Sequence, residues 1–190
     1  MTTPAATVEV MDSVAFSMDG VRYRIWKSED LKALQGECFR TIDDLKEYVR
    51  PRVARSNGQR VSGMDLTIEF MPDGFEGHDT SIGSNLSVGR SVFISPQTVI
   101  GQGVGLGNKV KLGFWCTLGD HVTVESDVEI GSSNTLPDLA TVRKGTIIPD
   151  DTFPPGLLPK GVDITQAYVD KCIADRSQSS VSRVLTALTF

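Results

Sequence analysis

Between Thr80 and Asp150 the apolar positions of this chain recur every six residues. Ile82, Val88, Ile94, Ile100, Leu106, Leu112, Leu118, Val124, Ile130, Leu136, Val142 and Ile148 are all Ile, Leu or Val. A second column lies two residues before each of these, from Thr80, Leu86 and Val92 to Ala140 and Thr146, and is mostly small or β-branched. Gly follows the aliphatic residue at 83, 89, 101, 107, 113, 119 and 131, where a tight corner asks for positive φ or close backbone approach. Asn108, Asp120, Asp138 and Asp150 come one place later, residue types that tolerate the left-handed region. A period of six is neither the 3.6 of a helix nor the 2 of an ordinary strand, and it predicts a repeat architecture. The physical solution is a coil with three flat faces, one hexad per face, whose turns stack as parallel strands about 4.8 Å apart. Twelve hexads then make about four coils around an aliphatic interior.

The flanks read differently. Residues 14–26 alternate around Asp19-Gly20, a two-residue hairpin signal. Thr41 with Asp44 opens a helix carrying Ile42, Leu45 and Val49 on one face, stopped near Pro51. Residues 65–71 alternate as a strand, and Pro72-Asp73-Gly74 turns the chain into the repeat. Pro and Gly crowd 149–162 and end the coils. Asp163 is expected to cap a helix to about Arg176, and a second helix to begin near Ser179 or Ser180 with Val181, Val184, Leu185 and Leu188 on one stripe. The organisation is thus a mainly β protein: a small α/β cap over 1–77, a parallel β-helix over 78–156 and a helical segment over 157–190.

Composition narrows the function classes. Hydrophobic residues form 39% and charged residues 23% of the chain, as in a globular protein. The net charge of −5 argues against general nucleic-acid binding. No stretch reaches the roughly 18 apolar residues of a membrane span, and the first residues lack a basic-then-apolar leader. Cys38, Cys116 and Cys172 are widely spaced without a CxxC pair, which suits a reducing compartment and neither a zinc site nor a disulfide framework. The expected setting is the cytoplasm, with no metal.

The hexad pattern over about 78–156 resembles the hexapeptide-repeat superfamily of acyltransferases, sugar-nucleotide enzymes and γ-class carbonic anhydrases. That resemblance implies left-handed coils, a homotrimer and active sites between neighbouring prisms. A γ-class carbonic anhydrase holds its metal with three His, and only His78 and His121 exist here. The run Gly77-His78-Asp79-Thr80-Ser81-Ile82-Gly83 is similar to a stretch of bacterial sugar and sialic-acid acetyltransferases. It implies His78 as general base toward a hydroxyl or amine acceptor, Asp79 as the acid that orients it, and acetyl-CoA or another acyl-CoA as donor. His121 falls at an outward corner, where a solvated imidazole is the ordinary reading.

Stacking in steps of a full turn puts Pro96 and Phe114 in the column of His78, and Gln97 and Trp115 in that of Asp79. Two adjacent outward aromatics fit either a contact between protomers or the wall of a ligand cleft. Arg50, Arg52, Arg55 and Arg60 fit a helix C-terminus as surface charge, or an anion site. No hexad is broken between 80 and 150, and no Gly-x-Pro-Ala-Lys stretch follows the coils, features that favour a rival reading as a non-catalytic trimeric scaffold or protein-interaction module.

Overall fold

The computed structural model describes residues 12–18, 21–27, 42–49, 66–70 and 80–187. Strands β1 (Asp12–Met18) and β2 (Val21–Lys27) form an antiparallel hairpin with Met18 opposite Val21, as the Asp19-Gly20 signal predicts. Helix α1 is Ile42–Val49, with Val49 fully buried. Residues 66–70 and 80–164 form a parallel β-solenoid with three faces.

The first face holds β3 (Leu66–Phe70), β6 (Val92–Ile94), β9 (Lys111–Leu112), β12 (Glu129–Ile130) and β15 (Ile147–Ile148). The second holds β4 (Ser81–Ile82), β7 (Val99–Ile100), β10 (Thr117–Leu118) and β13 (Thr135–Leu136). The third holds β5 (Ser87–Val88), β8 (Gly105–Leu106), β11 (Thr123–Val124), β14 (Thr141–Val142) and β16 (Asp163–Ile164). Two of the faces therefore carry five rungs, and the solenoid has about five coils rather than four. The period of six misses the end rungs because they close over longer loops: Thr67 pairs with Phe93, and Thr141 with Asp163. The hairpin joins the first face, since β2 lies parallel to β3, so one seven-stranded sheet runs from β1 to β15.

Both aliphatic columns point inward, and Ile94, Val104, Val110, Val122, Leu136 and Ile148 are 0% exposed. The corners are built differently from the sequence expectation. Positive φ falls at the third residue after each aliphatic position, including Asn85, Lys109, Trp115, His121 and Leu139, and not at the Gly or Asx columns. The glycines answer to close approach instead: a Cβ on Gly107 would lie 2.6 Å from Ser126 N, and one on Gly83 2.6 Å from Gly101 C. The Asx side chains answer to hydrogen bonding between coils. Asn108 Oδ1 accepts Arg90 N–H (2.8 Å), Asp120 Oδ1 accepts Gln102 N–H (2.9 Å), and Asp150 Oδ1 accepts Ser132 N–H (2.6 Å).

A single helix, α2 (Gln166–Ala187), closes the described chain in place of the two expected. Asp163 is not its cap but belongs to β16, where it meets Arg143 in a two-pronged pair (2.7 and 2.8 Å). Thr165 caps the helix, its Oγ1 accepting Tyr168 N–H at 3.2 Å. The start of α2 seats Val169 in the core, and Gln166 Oε1 accepts Ile147 N–H (2.7 Å) at the last rung of the first face. No described helix is long and apolar enough to cross a membrane.

Candidate functional site

Three corners run the length of the solenoid, and one differs from the others inside and out. Its inner column is Thr80, Thr98, Cys116, Asn134 and Thr152, all buried, whereas the corresponding residues elsewhere are Leu86, Val104, Val122 and Ala140, or Val92, Val110, Val128 and Thr146. Each polar side chain in this column bonds to turn backbone. Thr98 Oγ1 donates to Ser95 O (2.8 Å), Cys116 Sγ to Gly131 O (3.1 Å), and Thr152 Oγ1 to Pro149 O (2.8 Å). Asn134 Nδ2 donates to Gly131 O (2.8 Å) and Pro149 O (2.9 Å), while its Oδ1 accepts Phe153 N–H (2.8 Å). Burial pushes the Cys116 thiol up to about 11, so it stays protonated and packs as a small apolar group with a weak donor.

The outside of this corner carries Phe114 and Trp115. Their ring centroids are 6.2 Å apart at 55°, and they are 40% and 47% exposed. The chain supports them through its backbone: Trp115 N–H donates to Pro96 O (3.4 Å), and Ser133 N–H to Phe114 O (2.8 Å). Phe114 occupies the column where other coils place an Asx or Ser acceptor for an N–H of the preceding coil. Here the preceding residue is Pro96, which has no N–H to satisfy, so the position is released for an aromatic ring. Trp115 occupies a left-handed position, φ 55°, that other turns fill with residues as different as Asn85, Gly103, Lys109, His121 and Leu139. One rung further come Ser132 and Ser133, and beyond them Asp150 and Asp151. Arg176 reaches this end of the corner from α2, its Nη1 donating to Asp151 O (2.7 Å).

Sequence reasoning placed the two aromatics and set Phe114 in the column of Pro96, but it did not single out the polar inner column or the Ser and Asp rungs. The signal for these lay in the same full-turn stacking, which aligns Thr98, Cys116, Asn134 and Thr152 inside and Ser132, Ser133, Asp150 and Asp151 outside. His78 and Asp79 lie outside the described residues, as do Arg50, Arg52, Arg55 and Arg60. His121 is exposed on a different corner, its N–H bonded to Gln102 O (2.8 Å) and its ring over Gly103, where Nδ1 fills the space of a Cβ.

An open groove of about 310 Å³ lies between the last loop and α2. Leu157, Leu158, Tyr168, Cys172, Asp175 and Arg176 line it. Burial and the hydrogen bond with Cys172 both hold the Tyr168 phenol above its ordinary range, which makes it a packing group and not an acid near neutral pH. Its ring lies 6.3 Å from that of Phe153, so the contact seats the helix. Among the described residues no group of three or more His, Cys, Asp or Glu is placed to hold a metal. Comparison with protein-family models, with curated proteins and with solved structures returns no match to this chain.

Proposed function

We propose that the chain is a recognition module, a rigid β-solenoid that presents the Phe114–Trp115 corner to a ligand or partner. The observation that carries this reading is the pair of adjacent, exposed rings at Phe114 and Trp115. A left-handed φ costs a residue with a Cβ roughly 1–2 kcal/mol, and Asn or Gly relieves that cost. An indole that remains 47% exposed regains only part of it by burial. The left-handed turn belongs to the fold, since Lys109, His121 and Leu139 share it; what sets this position apart is that a second large ring, Phe114, stands half-exposed beside the indole, an arrangement enriched where proteins meet ligands and partners. The test needs no knowledge of the ligand. Trp115→Asn should leave the thermal midpoint unchanged or raise it by a few degrees, because the backbone conformation becomes easier. A drop of several degrees would mean that the indole is a packing residue and would overturn the reading.

The second reading is an acyltransferase, favoured by the stretch Gly77-His78-Asp79-Thr80-Ser81-Ile82-Gly83, whose end is β4 of the solenoid. In it His78 is the general base, Asp79 orients the imidazole, and an acyl-CoA binds in a cleft completed by a neighbouring copy of a trimer. Phe114 and Trp115 are then one wall of that cleft. Titration of acetyl-CoA into the wild-type chain, with Trp115→Ala and His78→Ala beside it, separates the two readings. Binding weakened by Trp115→Ala, with thioester turnover lost in His78→Ala, supports the enzyme. No binding at millimolar acetyl-CoA leaves the recognition module as the better account.

A further inference from the structure

We infer that the ligand of this corner is an uncharged glycan chain lying along the solenoid axis. The inference rests on the recognition reading above and names its ligand class. The corner offers three kinds of group in sequence: two exposed rings at Phe114 and Trp115, the Ser132 and Ser133 hydroxyls, and the Asp150 and Asp151 carboxylates. Successive rungs are about 4.8 Å apart, so the strip spans roughly 10 Å from rings to carboxylates. Rings, hydroxyls and carboxylates together match a saccharide. The C–H face of a sugar ring stacks on the electron-rich face of an aromatic side chain, and its hydroxyls donate to carboxylates and exchange hydrogen bonds with serines. Among the described residues the two serine hydroxyls make no hydrogen bond, and Asp150 engages one oxygen with Ser132 N–H, leaving the other for a donor.

The backbone here argues against a peptide. Strand addition needs free N–H and C=O groups at an edge, whereas the corner's N–H groups at 115, 133 and 151 already donate to Pro96, Phe114 and Ser132 oxygens. Helix or polyproline docking needs a groove, and the groove between Leu157 and α2 is not lined by either ring. Polyanions, whether nucleic acid or an acidic glycan, are disfavoured by Asp150 and Asp151 and by a net charge of −5, while Arg176, the cation at this end, is engaged with Asp151 O. The polar inner column gives the strip a fixed shape: Thr98, Cys116 and Asn134 each bond to a carbonyl of the next corner turn, so little freedom is lost on binding.

The experiment uses the full chain and three neutral hexasaccharides: β-linked glucose, β-linked N-acetylglucosamine and α-linked mannose. Binding is read by calorimetry, and by Trp115 fluorescence in a Trp26→Phe background. Saturable binding of one of them, weakened roughly tenfold by Trp115→Ala and several-fold by Asp151→Ala, is the expected result. It should be nearly indifferent to salt between low and physiological ionic strength. Absence of binding at millimolar sugar for all three overturns the ligand class, as does binding that survives Trp115→Ala. A salt-sensitive complex with an oligolysine peptide, lost in Trp115→Ala, would overturn the glycan and retain the corner as a recognition surface. If Trp115→Asn destabilises the fold, the recognition reading itself fails, so the two failures are distinguishable.

Discussion

A single methyl group at Gly107 should destabilise the solenoid, whereas the same group two residues earlier should be harmless. The Cβ of Gly107→Ala would lie 2.6 Å from Ser126 N and 2.7 Å from Glu125 C, backbone atoms of the next coil that cannot rotate away. An ordinary contact begins near 3.4 Å, so the coils must part locally by about 0.8 Å. That movement stretches three bonds between the coils: Gly107 N–H to Val124 O (2.7 Å), Asp127 N–H to Asn108 O (2.7 Å) and Asn108 N–H to Ser126 Oγ (3.0 Å). Stretched bonds near 3.5 Å retain little strength, and at about 1 kcal/mol each the loss is about 2–4 kcal/mol. For a chain of this length the thermal midpoint should fall by about 5–12 °C. A Cβ on Gly105 meets nothing within 4 Å, and φ there is not positive. Gly105→Ala should therefore be neutral, or stabilising by about 0.5 kcal/mol through the unfolded chain. Circular dichroism melts and urea midpoints of the two variants against wild type decide the matter. Equal shifts in the two, or an unchanged Gly107→Ala, would refute the idea that these glycines exist for close approach.

Asn134→Ala should cost about 2–3 kcal/mol, because Phe153 N–H and Pro149 O lose their buried partner together; a melt within one degree of wild type would count against the polar column as a structural tie. Acid should loosen the end of the solenoid. Hydrogen bonds from Lys144 N–H and Arg143 hold Glu125 below the usual carboxylate range, Lys160 and Asp120 N–H do so for Asp138, and Arg143 for Asp163. Carboxyl groups whose folded pKa is lowered contribute stability that is present above their unfolded values near 4 and is lost as pH falls below them. The thermal midpoint should be flat from about pH 7 to 5 and decline below about pH 4, less steeply in Arg143→Ala; an identical decline in that variant would exclude these pairs as its source.

Much of this molecule could be read from the chain alone, because a solenoid's core depends on a one-dimensional period. The main inner column must be aliphatic in every coil or the stack cannot close, so Ile82 to Ile148 announce parallel coils without knowledge of any distant contact. The hairpin and α1 were legible for a similar reason, since Asp19-Gly20 and the spacing of Ile42, Leu45 and Val49 are local signals. Tertiary structure decided whatever depends on contacts between coils. The glycine and Asx columns suggested positive φ, yet φ is positive one or two residues later, because Gly107 and its counterparts yield space to the next coil and Asn108 and its counterparts accept that coil's N–H groups. The end rungs β3 and β16 lie outside the period because their loops are longer, and their pairing is set by free sheet edges. Asp163 looked like a helix cap until Arg143 drew it into the third face. The site divides in the same way: two adjacent aromatics and the Pro96–Phe114 column are visible in the sequence, but the structure decided that Trp115 takes a left-handed φ and that the inner side of this corner is tied by buried polar side chains.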